Sequence, residues 1–279
     1  MLLQFTKMHG LGNDFMMVDL ISQRAHLSEK TIRALSDRKT GIGFDQLLTV
    51  TPPDNPDADF RYTIYNADGS EAEQCGNGAR CFLRFVRDQG LTNKSEITLQ
   101  TSNGEITCRL QKDSDISVEM GQPTLQPEKI PFVADSPQIL YDLCLAPKLK
   151  ETVQISAVNV GNPHAVMRVD DVGSARVEEL GRVIESHPRF PERVNVGFMQ
   201  LLSRHHLKLR VFERGVGETM ACGTGACAAV VAARLQGLVD EKVEVDLTGG
   251  TLCINWAGDD SSIIMTGPAC RVYEGRLQI

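Results

Sequence analysis

Nowhere does this 279-residue chain gather a dense block of lysine or arginine, and its formal net charge is −7. That balance argues against a nucleic-acid partner, which would need clustered positive charge. Long apolar runs are also missing. The longest, Ala226 to Ala233, falls far short of the roughly 20 residues that a bilayer-spanning helix needs, so no membrane partner is expected. The first ten residues lack the basic start and sustained apolar stretch of a secretory leader, and the expected location is cytoplasmic. Eight cysteines are present without one Cys-x-x-Cys pair. Zinc ribbons and thioredoxin-like sites therefore have no support, and no metal is expected. Gly10-Leu11-Gly12 lacks the third glycine and following helix of a dinucleotide loop. No Schiff-base lysine signature stands out either, and no cofactor is expected.

What the chain does have is an internal duplication. Cys75-Gly76-Asn77-Gly78-Ala79 opens a helical run ending at Gly90-Leu91, and Cys222-Gly223-Thr224-Gly225-Ala226 opens another ending at Gly237-Leu238. Superposed, they agree at Cys75/Cys222, Gly76/Gly223, Gly78/Gly225, Ala79/Ala226, Arg87/Arg234, Gln89/Gln236, Gly90/Gly237 and Leu91/Leu238. Two unrelated helices rarely match so well. Other stretches recur in order. Gly12-Asn13-Asp14-Phe15 is echoed by Gly161-Asn162-Pro163-His164. Gly41-Ile42-Gly43-Phe44-Asp45-Gln46-Leu47 is echoed by Asn195-Val196-Gly197-Phe198-Met199-Gln200-Leu201. The strand Arg61–Tyr65 entering Asn66 matches Leu207–Phe212 entering Glu213. The hairpin turning at Asn103-Gly104 returns at Gly249-Gly250.

Each half thus reads as many strands and one main helix, an α+β unit rather than alternating βαβ. Ser28 is the expected N-cap of an additional helix running to Arg38. In the first cysteine helix Arg80, Arg84 and Arg87 share a side and make it amphipathic, whereas the second has no polar side and should be buried all round. A domain boundary falls inside the proline-rich segment Gln122–Pro137, giving domains 1–122 and 123–267. The stretch from Gln122 to Thr152 reads as a surface excursion without an assigned role.

A helix N-terminus leaves backbone N–H groups unpaired and carries about half a positive charge. A thiol placed there can have its pKa pulled below the ordinary value of about 8.5. The glycines after each cysteine open access to the amides of Gly76, Asn77, Gly223 and Thr224, which suit a small carboxylate. A cysteine at a glycine-rich turn is often merely buried, but two copies at matching places in a duplicated chain point to chemistry. If both thiols face one substrate, one removes a proton from carbon while the other returns a proton to the opposite face. The carbon acid would be an amino-acid α-carbon. The turns supply polar groups to orient it: Asn13, Gln46, Asn66, Asn77, Asn162, Asn195, Glu213, Arg214 and Thr224.

Together, His9-Gly10-Leu11-Gly12-Asn13-Asp14-Phe15, Asn66-Ala67-Asp68-Gly69-Ser70, Cys75-Gly76-Asn77-Gly78-Ala79-Arg80, Gly161-Asn162-Pro163-His164, Glu213-Arg214-Gly215 and Ala221-Cys222-Gly223-Thr224-Gly225 resemble the diaminopimelate epimerases, from the first residues to the last. The resemblance implies a cofactor-independent isomerase that interconverts LL- and meso-2,6-diaminopimelate, in lysine and peptidoglycan-precursor synthesis. It implies Cys75 and Cys222 as the acid/base thiols, with His164 and Glu213 near the reacting centre and tuning them. The implied substrate contacts are Asn13, Gln46, Asn66, Gly76, Asn77, Asn162, Asn195, Glu213, Arg214, Gly223 and Thr224. The implied fold has two pseudo-symmetric domains, each a curled mixed or antiparallel sheet around a central helix. Its last strand (268–279) returns to the first domain, and homodimers are usual. Two other readings stay open: a racemase of another small amino acid, similar to proline racemase, and a thiol–disulfide redox protein using Cys75 and Cys222.

Overall fold

A computed structural model describes residues 2–72, 75–258 and 260–279. The chain divides into two compact units, Met1–Glu119 with Thr266–Ile279, and Met120–Met265. In the first unit the elements run β1 (Leu2–Gly10), β2 (Asn13–Asp19), α1 (Glu29–Ser36), β3 (Gln46–Thr51), β4 (Phe60–Asn66), β5 (Glu71–Ala72), α2 (Gly76–Asp88), β6 (Glu96–Thr101), β7 (Gly104–Leu110) and β8 (Ile116–Glu119). β1 and β2 are antiparallel, β2 and β3 parallel, β3 and β4 antiparallel, β4 and β6 parallel, and β6 and β7 antiparallel.

The second unit carries β9 (Tyr141–Cys144), β10 (Thr152–Asn159), β11 (Pro163–Arg168), α3 (Val177–Glu185), β12 (Asn195–Ser203), β13 (His206–Glu213), β14 (Gly217–Thr219), α4 (Gly223–Leu235), β15 (Lys242–Leu247) and β16 (Gly250–Asn255), and the chain passes back to the first unit within β17 (Ile264–Gly267). From β10 onward its pairings repeat the same alternation of antiparallel and parallel neighbours. The last strand, β18 (Cys270–Gln278), lies antiparallel to β1. It holds the place in the first unit that β9 holds against β10 in the second.

In the first unit, apolar side chains cover both faces of the central strands, because each face meets a helix. Met16, Val18 and Leu47 pack with Ile32 and Leu35 of α1. On the other face, Phe15 and Leu48 approach α2 at Gly78. Helix α2 rests on β1, β2, β3, β7, β8 and β18, so the sheet curls round it. In the second unit α3 sets Val177, Leu180 and Ile184 against Ala165, Val196, Phe198 and Phe212. Gly181 lets that helix lie close, since a Cβ there would come within 2.5 Å of the Phe212 ring. Helix α4 is held by β10, β11, β12, β13 and β16. Every residue from Gly225 to Ala233 in it is buried.

Two expectations need correction. Arg80 does not share a solvent side with Arg84 and Arg87. Its side chain is wholly buried, because polar partners wait for it inside the unit. Nor is Gln122–Thr152 a surface excursion. Ile130, Phe132, Tyr141, Leu143 and Leu145 are buried in the core of the second unit. The Phe132 ring stacks on Phe190 at 4.6 Å and lies under the Arg189 guanidinium at 4.3 Å. Isolated apolar residues among prolines give no periodic signal, yet each fills a place in that core.

Candidate active site

The strand registers explain why the candidate residues gather at one edge of each sheet. In the first unit β2 starts at Asn13 and β3 at Gln46, and the two run parallel. β4 runs against β3 and ends at Asn66, directly opposite Gln46. α2 then starts at the same edge, with Cys75 as its N-cap. In the second unit Asn162 precedes β11, Asn195 starts β12, Glu213 ends β13, and Cys222 caps α4. Phe15 pairs with Gln46, and His164, which echoes Phe15, pairs with Asn195. Asn195 is therefore the counterpart of Gln46, not of Gly41 as the sequence echo had it. Asn66 and Glu213 are counterparts as well, an amide in the first unit and a carboxylate at the same place in the second.

Around Cys75 the chemistry is that of amides. Its Sγ accepts from the Gly78 N–H at 3.4 Å and donates to Asn13 Oδ1 at 3.6 Å. Asn77 Nδ2 donates to the same Asn13 oxygen at 3.3 Å, and Arg80 Nη2 donates to Asn77 Oδ1 at 2.8 Å. Asn13 Nδ2 donates to Asp45 Oδ2 at 3.1 Å. Gln46 Nε2 donates to Asn66 Oδ1 at 3.1 Å. The Tyr62 hydroxyl donates to the Cys75 carbonyl at 2.9 Å, and burial pushes that phenol up, so it remains a donor. Gly78 serves this contact: a Cβ there would sit 2.4 Å from the Tyr62 oxygen. Its lack of a side chain meets a packing need rather than ligand access alone, a correction to the expectation from sequence.

Around Cys222 the neighbours are an imidazole, a hydroxyl and a carboxylate. Thr224 Oγ1 lies 3.6 Å from Sγ. His164 is fully buried, and its Nε2 lies 2.9 Å from Asn162 Oδ1 and 3.0 Å from Thr224 Oγ1. Its Nδ1 meets no hydrogen-bond partner among the described residues. Burial, reinforced by Arg214, pulls the imidazole down to about 3, so it is neutral at any physiological pH. Glu213 accepts from the Thr219 hydroxyl. Asn195 donates to the Pro163 carbonyl at 3.0 Å and accepts from the Arg214 N–H at 2.9 Å. Burial first, and the Glu213 carboxylate second, push the Cys222 thiol well above its ordinary value, against the pull of Thr224. The sequence expectation of an acidified thiol is overturned here. Desolvation and a neighbouring negative charge outweigh the helix N-terminus.

Gly76 and Gly223 open α2 and α4 and are buried, beside the cysteines they follow. Thr219, Tyr62, Arg80 and Asp45 join the two clusters without having been singled out from sequence. Thr219 reaches Glu213 only through the β13–β14 register, and Asp45 reaches Asn13 only through the parallel pairing of β2 and β3. Among the described residues no group of three or more His, Cys, Asp or Glu side chains could hold a metal ion. None of the described helices is long and apolar enough to cross a membrane.

Comparison with known proteins bears on what these clusters do. The profile of the family described as diaminopimelate epimerase matches residues 5–126 and 156–272. A diaminopimelate epimerase of Ectopseudomonas mendocina (strain ymp) is 57% identical over 279 residues, covering 100% of both chains. One from Pseudomonas fluorescens is 58% identical over the same length and coverage. Among solved structures, a hydroxyproline epimerase from Agrobacterium vitis with bound trans-4-hydroxy-L-proline has a TM-score of 0.71 at 14% identity, covering 99% of this chain and 92% of its own. A PhzF-family phenazine biosynthesis protein of Bacillus anthracis has a TM-score of 0.67 at 17% identity, covering 100% of each chain. At these identities the two structures speak to the α+β fold alone.

Proposed function

The chain belongs to the diaminopimelate epimerase family, and on that premise we propose that Cys75 and Cys222 are the acid and base of a cofactor-independent epimerisation at the α-carbon of diaminopimelate. It is an isomerase of lysine biosynthesis. The observation that carries the two-thiol reading is the repeated one: each unit ends its sheet edge in a cysteine that caps the equivalent helix.

One thiolate takes the α-proton while the opposite thiol gives a proton to the other face, so the product has the inverted configuration and each sulfur exchanges its state. Negative charge builds on the substrate carboxylate as the C–H bond breaks. The first-turn amides of α2 and α4 and their dipoles are suited to stabilise it. Asn13, Gln46, Asn66, Asn77, Asn162, Asn195, Arg214 and Thr224 orient the substrate, with the amides of Gly76 and Gly223. Burial, and after it Glu213, push the Cys222 thiol up, which favours Cys222 as the thiol that carries the proton before substrate binds. His164 is a neutral hydrogen-bonding group and not a second base at physiological pH. The working form is proposed to be a cytoplasmic homodimer.

Turnover of LL-diaminopimelate in heavy water tests this. Deuterium should enter the α-position of the inverted centre, one atom per event. Substantial racemisation by a Cys75→Ala or a Cys222→Ala variant would overturn the two-thiol scheme.

A further inference from the structure

Arg80 and Asp45 lie on either side of the pair of amides beside Cys75. Arg80 is wholly buried, its Nη2 2.8 Å from Asn77 Oδ1 and its Nε 3.2 Å from the Pro268 carbonyl. Space for that guanidinium is made by Gly10, where a Cβ would come within 3.0 Å of Nη2 and 3.3 Å of Asn77 Cβ. Asp45 is on the other side, its Oδ2 3.1 Å from Asn13 Nδ2 and its Oδ1 2.7 Å from Arg38.

We propose that Arg80 and Asp45 are positioning residues that lock Asn77 and Asn13 in one orientation, with the Asn13 carbonyl aimed at Cys75, and so keep the Cys75 thiolate basic. A guanidinium only donates, so Asn77 must turn its oxygen to Arg80 and its NH2 to Asn13. A carboxylate only accepts, so Asn13 must turn its NH2 to Asp45 and its oxygen to Asn77 and Cys75. The two ends fix the same arrangement, and the chain Arg80–Asn77–Asn13–Asp45 holds only while both are in place. A flipped Asn13 would set NH2 against NH2 at Asn77 and oxygen against oxygen at Asp45.

The consequence for Cys75 is directional. Asn13 Oδ1, 3.6 Å from Sγ, accepts from a thiol and gives nothing to a thiolate. The Gly78 N–H, at 3.4 Å, favours the thiolate. A helix N-terminus alone would make the thiolate a weak base, poorly matched to a very weak carbon acid. The locked carbonyl opposes that. Among the described residues, the other charged or titratable groups around the cluster include Tyr62 on β4, Cys81 on α2, Cys108 on β7, Asp14 on β2, and Lys7 and Arg38, which pair with Asp14. None of them changes in the variants below.

This inference rests on Cys75 being an acid/base thiol, but its test reads the thiol and not turnover. The full-length protein is alkylated with iodoacetamide across a pH series at 0.1 M and 1 M salt, and the Cys75 peptide is quantified by mass spectrometry. Asp45→Ala removes the acceptor and frees Asn13 to offer NH2 to the thiolate. Arg80→Met removes the donor that holds Asn77 Oδ1, and the loss of its positive charge would by itself raise the midpoint, so a fall can come only from the released amides. In both, the pH of half-maximal alkylation should fall by about one unit, a tenfold gain in thiolate at a given pH. The fall should persist at 1 M salt, where the loss of a half-exposed charge is screened. An unchanged midpoint in either folded variant, or a shift that vanishes in high salt, overturns the proposal. Should Arg80→Met not fold, the exposed Asp45 variant decides alone. Loss of turnover with an unmoved midpoint would count against the lock and leave the two-thiol reading standing.

Discussion

Helix α2 and helix α4 start from the same cap and share four equivalent strands, β1, β2, β3 and β7 for one and β10, β11, β12 and β16 for the other, yet they present their cysteines in different company. Cys75 is half-buried among side-chain amides, on a helix whose outer face carries Arg84. Cys222 is buried at the head of a helix with no polar side. Where the first unit has Asn66, the second has Glu213, and where the first has Asn77, the second has Thr224. The duplication kept the scaffold and varied the groups around the sulfur. Both sets of groups work against the acidifying pull of a helix N-terminus, one with a carbonyl oxygen and the other with a carboxylate and burial. Proton transfer to and from a weak carbon acid needs sulfurs that hold protons well, and two different neighbourhoods serve that need.

The comparison breaks most readily at the sulfurs themselves. If each unit contributes one half of the proton transfer, Cys75→Ala and Cys222→Ala should each cut epimerisation at saturating substrate by about 100- to 10,000-fold. Epimerisation assayed by chiral separation of the product checks this. Unequal units with a single working thiol would leave one variant active.

Next in size is the acid sensitivity that His164 gives the second unit. His164 titrates near 6.5 when unfolded and near 3 when folded. Between those values the unfolded chain holds a proton that the folded one lacks. The stabilising effect of its neutral form is therefore complete above pH 6.5 and is lost as pH falls toward 3, by about 1.4 kcal/mol per pH unit at its steepest. Asp14 behaves differently. Burial raises its pKa, but Arg38 and Lys7 outweigh that and hold it well below the ordinary aspartate value of 3.8, so its contribution is lost only below that value. Urea unfolding at pH 7, 6, 5 and 4 should show the earlier loss in the native protein and a flatter profile in His164→Gln. Equal slopes in the two proteins would contradict a neutral buried imidazole.

Glu213→Gln makes the second unit resemble the first by placing an amide where Asn66 has one. The half-maximal pH for Cys222 alkylation should fall by about one unit, because a negative neighbour is removed. It should stay above that of an ordinary thiol, since burial is the larger cause of the elevation. An unmoved midpoint would show that burial alone sets the Cys222 proton.

Much of this was legible in the chain. The paired cysteine motifs marked both helix starts, and Ser28 and the two hairpin turns fell where expected. What stayed hidden depends on register. Gln46 and Asn195 share a place because each pairs with the strand before it in parallel, and parallel pairing leaves no local mark. The spacing of Val177, Leu180 and Ile184 carries a helix signal for α3, weakened by the glycine inside it. Arg80 looked solvated because helical periodicity placed it with Arg84 and Arg87. Only the tertiary contacts show the partners that draw it in.

The smallest expected effect concerns the cap itself. The Cys75 carbonyl accepts from Ala79 N–H at 2.9 Å and also from the Tyr62 hydroxyl at 2.9 Å. The Cys222 carbonyl accepts from Ala226 N–H at 3.0 Å. Tyr62→Phe takes away the extra donor and keeps the ring, which packs edge-on against Phe82 at 5.3 Å. The carbonyl retains its helical partner, so the loss should be that of one buried hydrogen bond, about 1 kcal/mol by urea unfolding. The thiol should keep its midpoint, because the hydroxyl touches the backbone and not the sulfur. A midpoint shift as large as that expected from Asp45→Ala would mean that the Tyr62 bond governs where Cys75 points, and the two caps would then differ in geometry as well as in company.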